Sequence, residues 1–171
     1  MPTITLQTYI NADKQTVFDL ARSIDLHQIS TKHTNEKAIA GRISGLIELN
    51  ETVTWQARHF GITQKLTSKI TEFKNPDFFV DEMLYGVFKS IRHEHRFVKQ
   101  GSGTLMTDIF NYVSPLGILG RMADVLFLSS YLKNLLLKRN AVIKEHAEKE
   151  LLVNSIVEPD LGESHRCRPF G

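Results

Sequence analysis

The sequence holds one cysteine, Cys167, so an internal disulfide is excluded, as is any zinc site built on paired cysteines. Long apolar runs are missing too. The longest uninterrupted one, Val125 to Leu128, falls far short of the roughly 20 residues a membrane-crossing helix needs. Nor is there an excess of charge of one sign. The chain has 21 basic and 19 acidic residues, a formal net charge of +2, with the lysines and arginines scattered, and no nucleic-acid partner is implied. Met1 to Ile10 lacks a basic segment followed by an apolar one, which argues against a secretory signal, and a cytoplasmic protein is expected. What is present is an ordinary globular balance, 42% hydrophobic and 23% charged over 171 residues. That length suits one domain with a real core. We place the domain at residues 1–150 and an irregular tail at 151–171, because periodicity is lost from Asn154 onward.

Thr3 to Ile10 alternates apolar and polar residues, the pattern of a half-buried strand. Asn11 and Asp13 offer N-caps for a short helix through Val17, Phe18, Leu20, Ala21 and Ile24, and a second helical turn is expected around Asp25 to Thr31. A short edge strand at Glu36 to Ala40 is followed by five β-like runs, at Glu51 to Phe60, Ile62 to Phe73, Phe78 to Tyr85, Phe88 to Lys99 and Thr104 to Ser114. Their separators, Gly61, Asn75-Pro76-Asp77, Gly86 and Gly101-Ser102-Gly103, are short and rich in turn residues, which predicts an antiparallel meander. After Pro115 the period becomes helical to about Glu150, with Leu119, Met122, Leu126, Leu132, Leu136 and Ile143 on the apolar stripe. The fold class is therefore α+β, a curved antiparallel sheet of six to seven strands around one long C-terminal helix.

Two-residue turns fix which side chains share a face. Around Gly61 they place Trp55 and His59 with Leu66; around Gly86 they place Phe78 and Glu82 with His93, His95 and Phe97; around Gly101 they pair His95 with Asp108 and His93 with Phe110, and bring in Tyr112. This is the apolar-rich face, so the long helix should cover it. Glu82, His93, His95, Asp108 and His59 then lie among aromatic and aliphatic residues, where ionisable groups need partners or water. An enclosed polar cluster of this kind points to a pocket rather than a dry core.

Gly41-Arg42-Ile43-Ser44-Gly45-Leu46-Ile47, Val53-Thr54-Trp55 through His59-Phe60-Gly61, and Ser114-Pro115-Leu116-Gly117 leading into Leu126-Phe127 and Tyr131-Leu132 resemble bacterial members of the SRPBCC superfamily. That superfamily includes START-like, Bet v 1-like and polyketide cyclase-like proteins, and the resemblance covers residues 2–148. It implies a helix-grip fold with a hydrophobic cavity between sheet and helix, used for lipids, sterols, hormones or polyketides, with some members being enzymes.

Three functions follow as expectations. The first is a non-catalytic carrier or sensor binding a small hydrophobic or amphipathic ligand through Trp55, His59, Leu66, Phe78, Glu82, His93, His95, Phe97, Asp108, Phe110, Tyr112, Met122 and Leu126. The second is a cyclase- or hydratase-like enzyme in which His95, held by Asp108, is the acid or base. The plainer reading of that pair is a structural hydrogen bond. The third is an interaction module acting through the helix, whose apolar excess offers a gate, a homodimer surface or a membrane-contacting patch; it predicts a filled interior. His93 and His95 point the same way on a strand and are suitable metal ligands, but their spacing alone is not diagnostic, and neither a metal nor a cofactor is expected.

Overall fold

The computed structural model describes residues 2–59, 61–114 and 127–157, with side chains to residue 149. Alternation gives β1 at Thr3–Ile10, burying Ile4, Leu6 and Ile10. Asp13 then caps α1, Lys14–Ala21, by accepting from the Thr16 amide at 3.0 Å. Ser23 does the same for α2, Ile24–Ser30, through the Leu26 amide at 3.2 Å. Six further strands follow: β2 (Lys37–Gly41), β3 (Thr52–His59), β4 (Ile62–Lys74), β5 (Phe78–Tyr85), β6 (Ser90–Gln100) and β7 (Gly103–Val113). The helix α3 spans Ser129–Val157, past the boundary at residue 150 read from periodicity. The first part of the expected helix, 115–126, and the tail from residue 158 lie outside the described residues.

The seven strands form one antiparallel sheet in the order β1-β7-β6-β5-β4-β3-β2. Bulges bend it, one between Ala38 and Ala40 in β2 and two along the β4–β5 pair. Its outer face is the polar one expected, with Arg92 bridging Glu72 and Glu94 at 2.9 and 2.8 Å. The inner face is crossed by α1, α2 and α3. Along α3 the buried positions are Leu136, Arg139, Asn140, Ile143 and Ala147, the three- and four-residue spacing of one helix face. Among the described residues, no helix is long and apolar enough to cross a membrane.

Register decides which side chains reach the interior. The β6–β7 pairing is the expected one, with His95 opposite Asp108 and His93 opposite Phe110. The β3–β4 pairing is two residues from expectation, Trp55 opposite Leu66, which leaves the faces unchanged. The β5 expectation is wrong by one residue. Asp81 pairs with His93 and Phe79 with His95, so Asp81 and Phe79 point inward while Phe78 and Glu82 point outward. The cause is the connection after β5, which spans residues 86–89 rather than making a two-residue turn at Gly86. On the other side Thr71 is the extra residue of a bulge, which lets β4 present Ser68 and Ile70 inward and then Phe73.

Two apolar clusters divide the space under the helices. In one, Phe18 of α1 meets Phe73, Phe79 and Phe97 edge-on, with centroids 5.4, 5.6 and 5.3 Å away. The other gathers Ile4, Leu6, Ile91, Tyr112 and Leu136. The space between them is not filled.

Candidate functional site

Between the clusters lies a cavity of about 480 Å³. Trp55 of β3, Leu66 and Ile70 of β4, Ile91 of β6, Phe110 of β7 and Leu136 of α3 give it apolar walls. Its polar part is built on two adjacent strands, because residues two apart on a strand point the same way. His93 and His95 of β6 lie with ring centroids 3.8 Å apart, and the β5 register brings Asp81 beside them.

These groups form two layers. At the back is Asp108, fully buried, whose Oδ1 is bonded to His93 Nε2 at 2.9 Å and whose Oδ2 accepts from Asn140 Nδ2 at 2.6 Å. Arg139 donates to the Ala21 carbonyl at 2.6 Å and stands 3.7 Å from Asp108 Oδ1. In front is Asp81, hydrogen-bonded to His95 Nε2 at 3.0 Å. Enclosed by protein, Asp81 still has 25% of its side-chain surface accessible, so the surface it shows is cavity wall. His95, 1% exposed, sits between the two carboxylates.

The charges follow from this packing. Burial opposes ionisation of Asp108, but the His93 hydrogen bond and the closeness of both imidazoles outweigh it and hold the carboxyl well below its usual range. Asp81 is also lowered: burial raises it, while the His95 bond, the imidazoles and the Arg139 guanidinium lower it by more. Burial and the neighbouring His95 push His93 down to about 4, so its imidazole is neutral at pH 7. A second polar corner lies near α2 and the start of α3. There His27 stacks on Trp55 at 4.2 Å and approaches Glu36 to 3.4 Å, and His59 Nδ1 meets the Tyr131 hydroxyl at 2.8 Å. Burial lowers His59, whereas Glu36, despite its own burial, is lowered by His27.

Of the residues expected from sequence, Trp55, His59, Leu66, His93, His95 and Phe110 line the cavity. Asp108 is one layer behind them. Phe97 and Tyr112 face inward but belong to the packed clusters. Phe78 and Glu82 do not line it. Phe78 lies under the Arg96 guanidinium at 5.7 Å, and Glu82 is 3.5 Å from Arg92 on the outer face. Met122 and Leu126 lie outside the described residues. Sequence reasoning missed Asp81, Arg139, Asn140 and Glu36. Counting three and four residues from Leu136 toward Ile143 would have found Arg139 and Asn140.

No family model matches the chain, and no curated protein matches it. Solved structures do. The chain is similar to TTHA0849 from Thermus thermophilus, with a TM-score of 0.66 and 18% identity over 83% of this chain and 97% of that one. Ginseng major latex-like protein 151 from Panax ginseng has a TM-score of 0.63 and 19% identity, covering 85% and 97%. The solution structure of the KanY protein has a TM-score of 0.66 and 13% identity, covering 86% and 99%. These likenesses establish the fold, a helix-grip architecture, in agreement with the SRPBCC resemblance read from the sequence.

Proposed function

We propose that the chain is a cytoplasmic carrier or sensor that encloses a small amphipathic molecule between its sheet and α3. The observation that carries this reading is the cavity itself, about 480 Å³, apolar over most of its wall and with Asp81 presented at one place. Pockets for small molecules run from roughly 300 to 1,000 Å³ and combine apolar walls with a few polar anchors. Each fully buried apolar group of side-chain size contributes about 1.5 to 3 kcal/mol before association costs. A handful of such groups supports micromolar binding without chemistry. The polar end of the ligand would meet Asp81, an acceptor, and therefore carry a donor such as a hydroxyl or amine. Native mass spectrometry of the protein purified from its own source tests this: a bound species of defined mass is expected. Protein that carries nothing, and takes up nothing from an extract of amphipathic small molecules, contradicts it.

One observation favours a second reading, acid–base catalysis. Asp81, rather than the expected pair of His95 and Asp108, is the group a substrate would touch, with His95 behind it. That arrangement predicts conversion of a bound carbonyl compound that Asp81→Asn abolishes while binding persists. A ligand recovered with its mass and structure unchanged after prolonged incubation contradicts it. The interaction-module reading presupposed a filled interior and has no support from the cavity.

A further inference from the structure

Asp81, His93 and His95 bring three ligand atoms together on the cavity wall, and we propose that they bind a divalent transition-metal ion of the zinc class, leaving a position open to the cavity. The ligand atoms are Asp81 Oδ2, His93 Nδ1 and His95 Nε2, all within 4.8 Å of one another. His95 Nε2 is 3.0 Å and His93 Nδ1 is 3.8 Å from Asp81 Oδ2. Zinc bound tetrahedrally at 2.0 to 2.2 Å holds its ligand atoms about 3.3 Å apart, a value these two separations bracket, while the two imidazole nitrogens, within 4.8 Å of each other, draw together by a side-chain adjustment on binding.

The argument turns on protons as much as on distance. A neutral imidazole has one N–H, yet His95 stands between two carboxylates, with Nε2 3.0 Å from Asp81 and Nδ1 2.9 Å from Asp108 Oδ1. One proton satisfies one of them and leaves a lone pair facing an anion at the other. In the structure Nδ1 is the nitrogen without an aligned hydrogen bond. His93 repeats the pattern, with Nε2 2.9 Å from Asp108 and Nδ1 turned toward Asp81. If both imidazoles donate to Asp108, two bare nitrogens and the Asp81 oxygen converge, and a cation at that point resolves their repulsion. Asp108 then has the role a carboxylate commonly has behind metal-bound histidines, fixing the tautomer and ring orientation. Asn140 holds Asp108 in turn.

Donor chemistry sets the class of metal. Two imidazoles and one carboxylate suit zinc, cobalt(II) or iron(II), whereas calcium and magnesium take oxygen ligands. Asp81, Asp108 and Arg139 sum to one negative charge, so a divalent ion leaves one positive charge. Hydroxide or an oxyanion of a cavity ligand at the open position balances it. The site shares the cavity of the carrier reading but stands without it, since metal binding requires no amphipath.

Untagged full-length protein, stripped with a chelator, is titrated with Zn(II) by calorimetry and with Co(II) while its visible d–d absorption is recorded. One equivalent is expected, with the wild-type imidazole nitrogen resonances of His93 Nδ1 and His95 Nε2 moving on zinc addition. Asp81→Asn should weaken zinc binding at least about 100-fold, and Asp108→Asn about 10- to 100-fold. An amide proton–nitrogen spectrum of each variant establishes that it is folded, and the wild-type imidazole spectrum needs no variant at all. No saturable binding, affinity unchanged in folded Asp81→Asn, or His93 Nδ1 and His95 Nε2 resonances left unmoved by excess zinc overturns the proposal. Binding of anilinonaphthalene sulfonate to the stripped protein reads the cavity separately: uptake of that probe without zinc binding sinks the metal site alone, and zinc binding without probe uptake sustains the metal site alone.

Discussion

An ionised carboxylate taken out of water loses hydration worth several kcal/mol unless donors replace it. Asp108 obtains that replacement from His93 and Asn140, at 2.9 and 2.6 Å, and Asn140 is held by a second bond to Thr8 Oγ1 at 3.2 Å. Asn140→Leu keeps the bulk and removes the donor, so it should lower unfolding free energy by about 2 to 3 kcal/mol, read from denaturant midpoints. A loss under about 0.5 kcal/mol would mean that Asp108 is not charged there. The pH dependence has a definite sign. His93 titrates at about 4 in the fold against an ordinary value of 6.5, so between those values the unfolded chain binds more protons. Metal-free protein should therefore lose stability as pH falls from about 6.5 through 4, and the lowered Asp81 and Asp108 extend the loss further into acid. A denaturant midpoint that stays level or rises from pH 7 to pH 5 contradicts this. His93, His95 and Asp108 were legible in the sequence because one hairpin with a two-residue turn relates them. Arg139 and Asn140 were not, since charged and amide residues in a mostly apolar helix look like its solvated side until their partner, 31 or more residues away in the chain, is known.

At the scale of elements, β5 is where pattern and structure part. Phe78-Phe79-Val80 is apolar at three successive positions, so alternation does not select a face, and the choice fell to an assumed turn at Gly86. The four-residue connection and the Thr71 bulge reverse it. The consequence is measurable. Phe79→Ala should cost about 3 to 5 kcal/mol, as for a buried aromatic stacked on His95 at 4.3 Å, and Phe78→Ala about 1 kcal/mol or less. Equal losses, or the reverse order, would restore the expected register. By contrast β1, α2 and β7 were readable to within one residue, because caps and strict alternation agree with the turns that bound them, while α1 ends at Ala21, three residues short of the expected Ile24, because Ser23 caps α2 there.

Over the whole molecule, the α+β element order was legible from the periods, one strand, two short helices, a meander and a long helix, and the SRPBCC resemblance implied its helix-grip form. The cavity was suggested only indirectly, by ionisable residues on the covered face. Its volume depends on how α3 stands off a bent sheet, which no local pattern encodes. Trp55, the single tryptophan, is part of its wall, so the protein carries an internal donor for energy transfer. Ser68, small and inward-facing on that wall, is the position at which a larger side chain would fill the space. Titration with anilinonaphthalene sulfonate while Trp55 emission is followed therefore tests the cavity most directly. Saturable one-to-one quenching of Trp55, weakened about tenfold or more in Ser68→Phe, is the predicted result. Trp55 emission unchanged at saturating probe, or quenching that Ser68→Phe leaves unaltered, would contradict it.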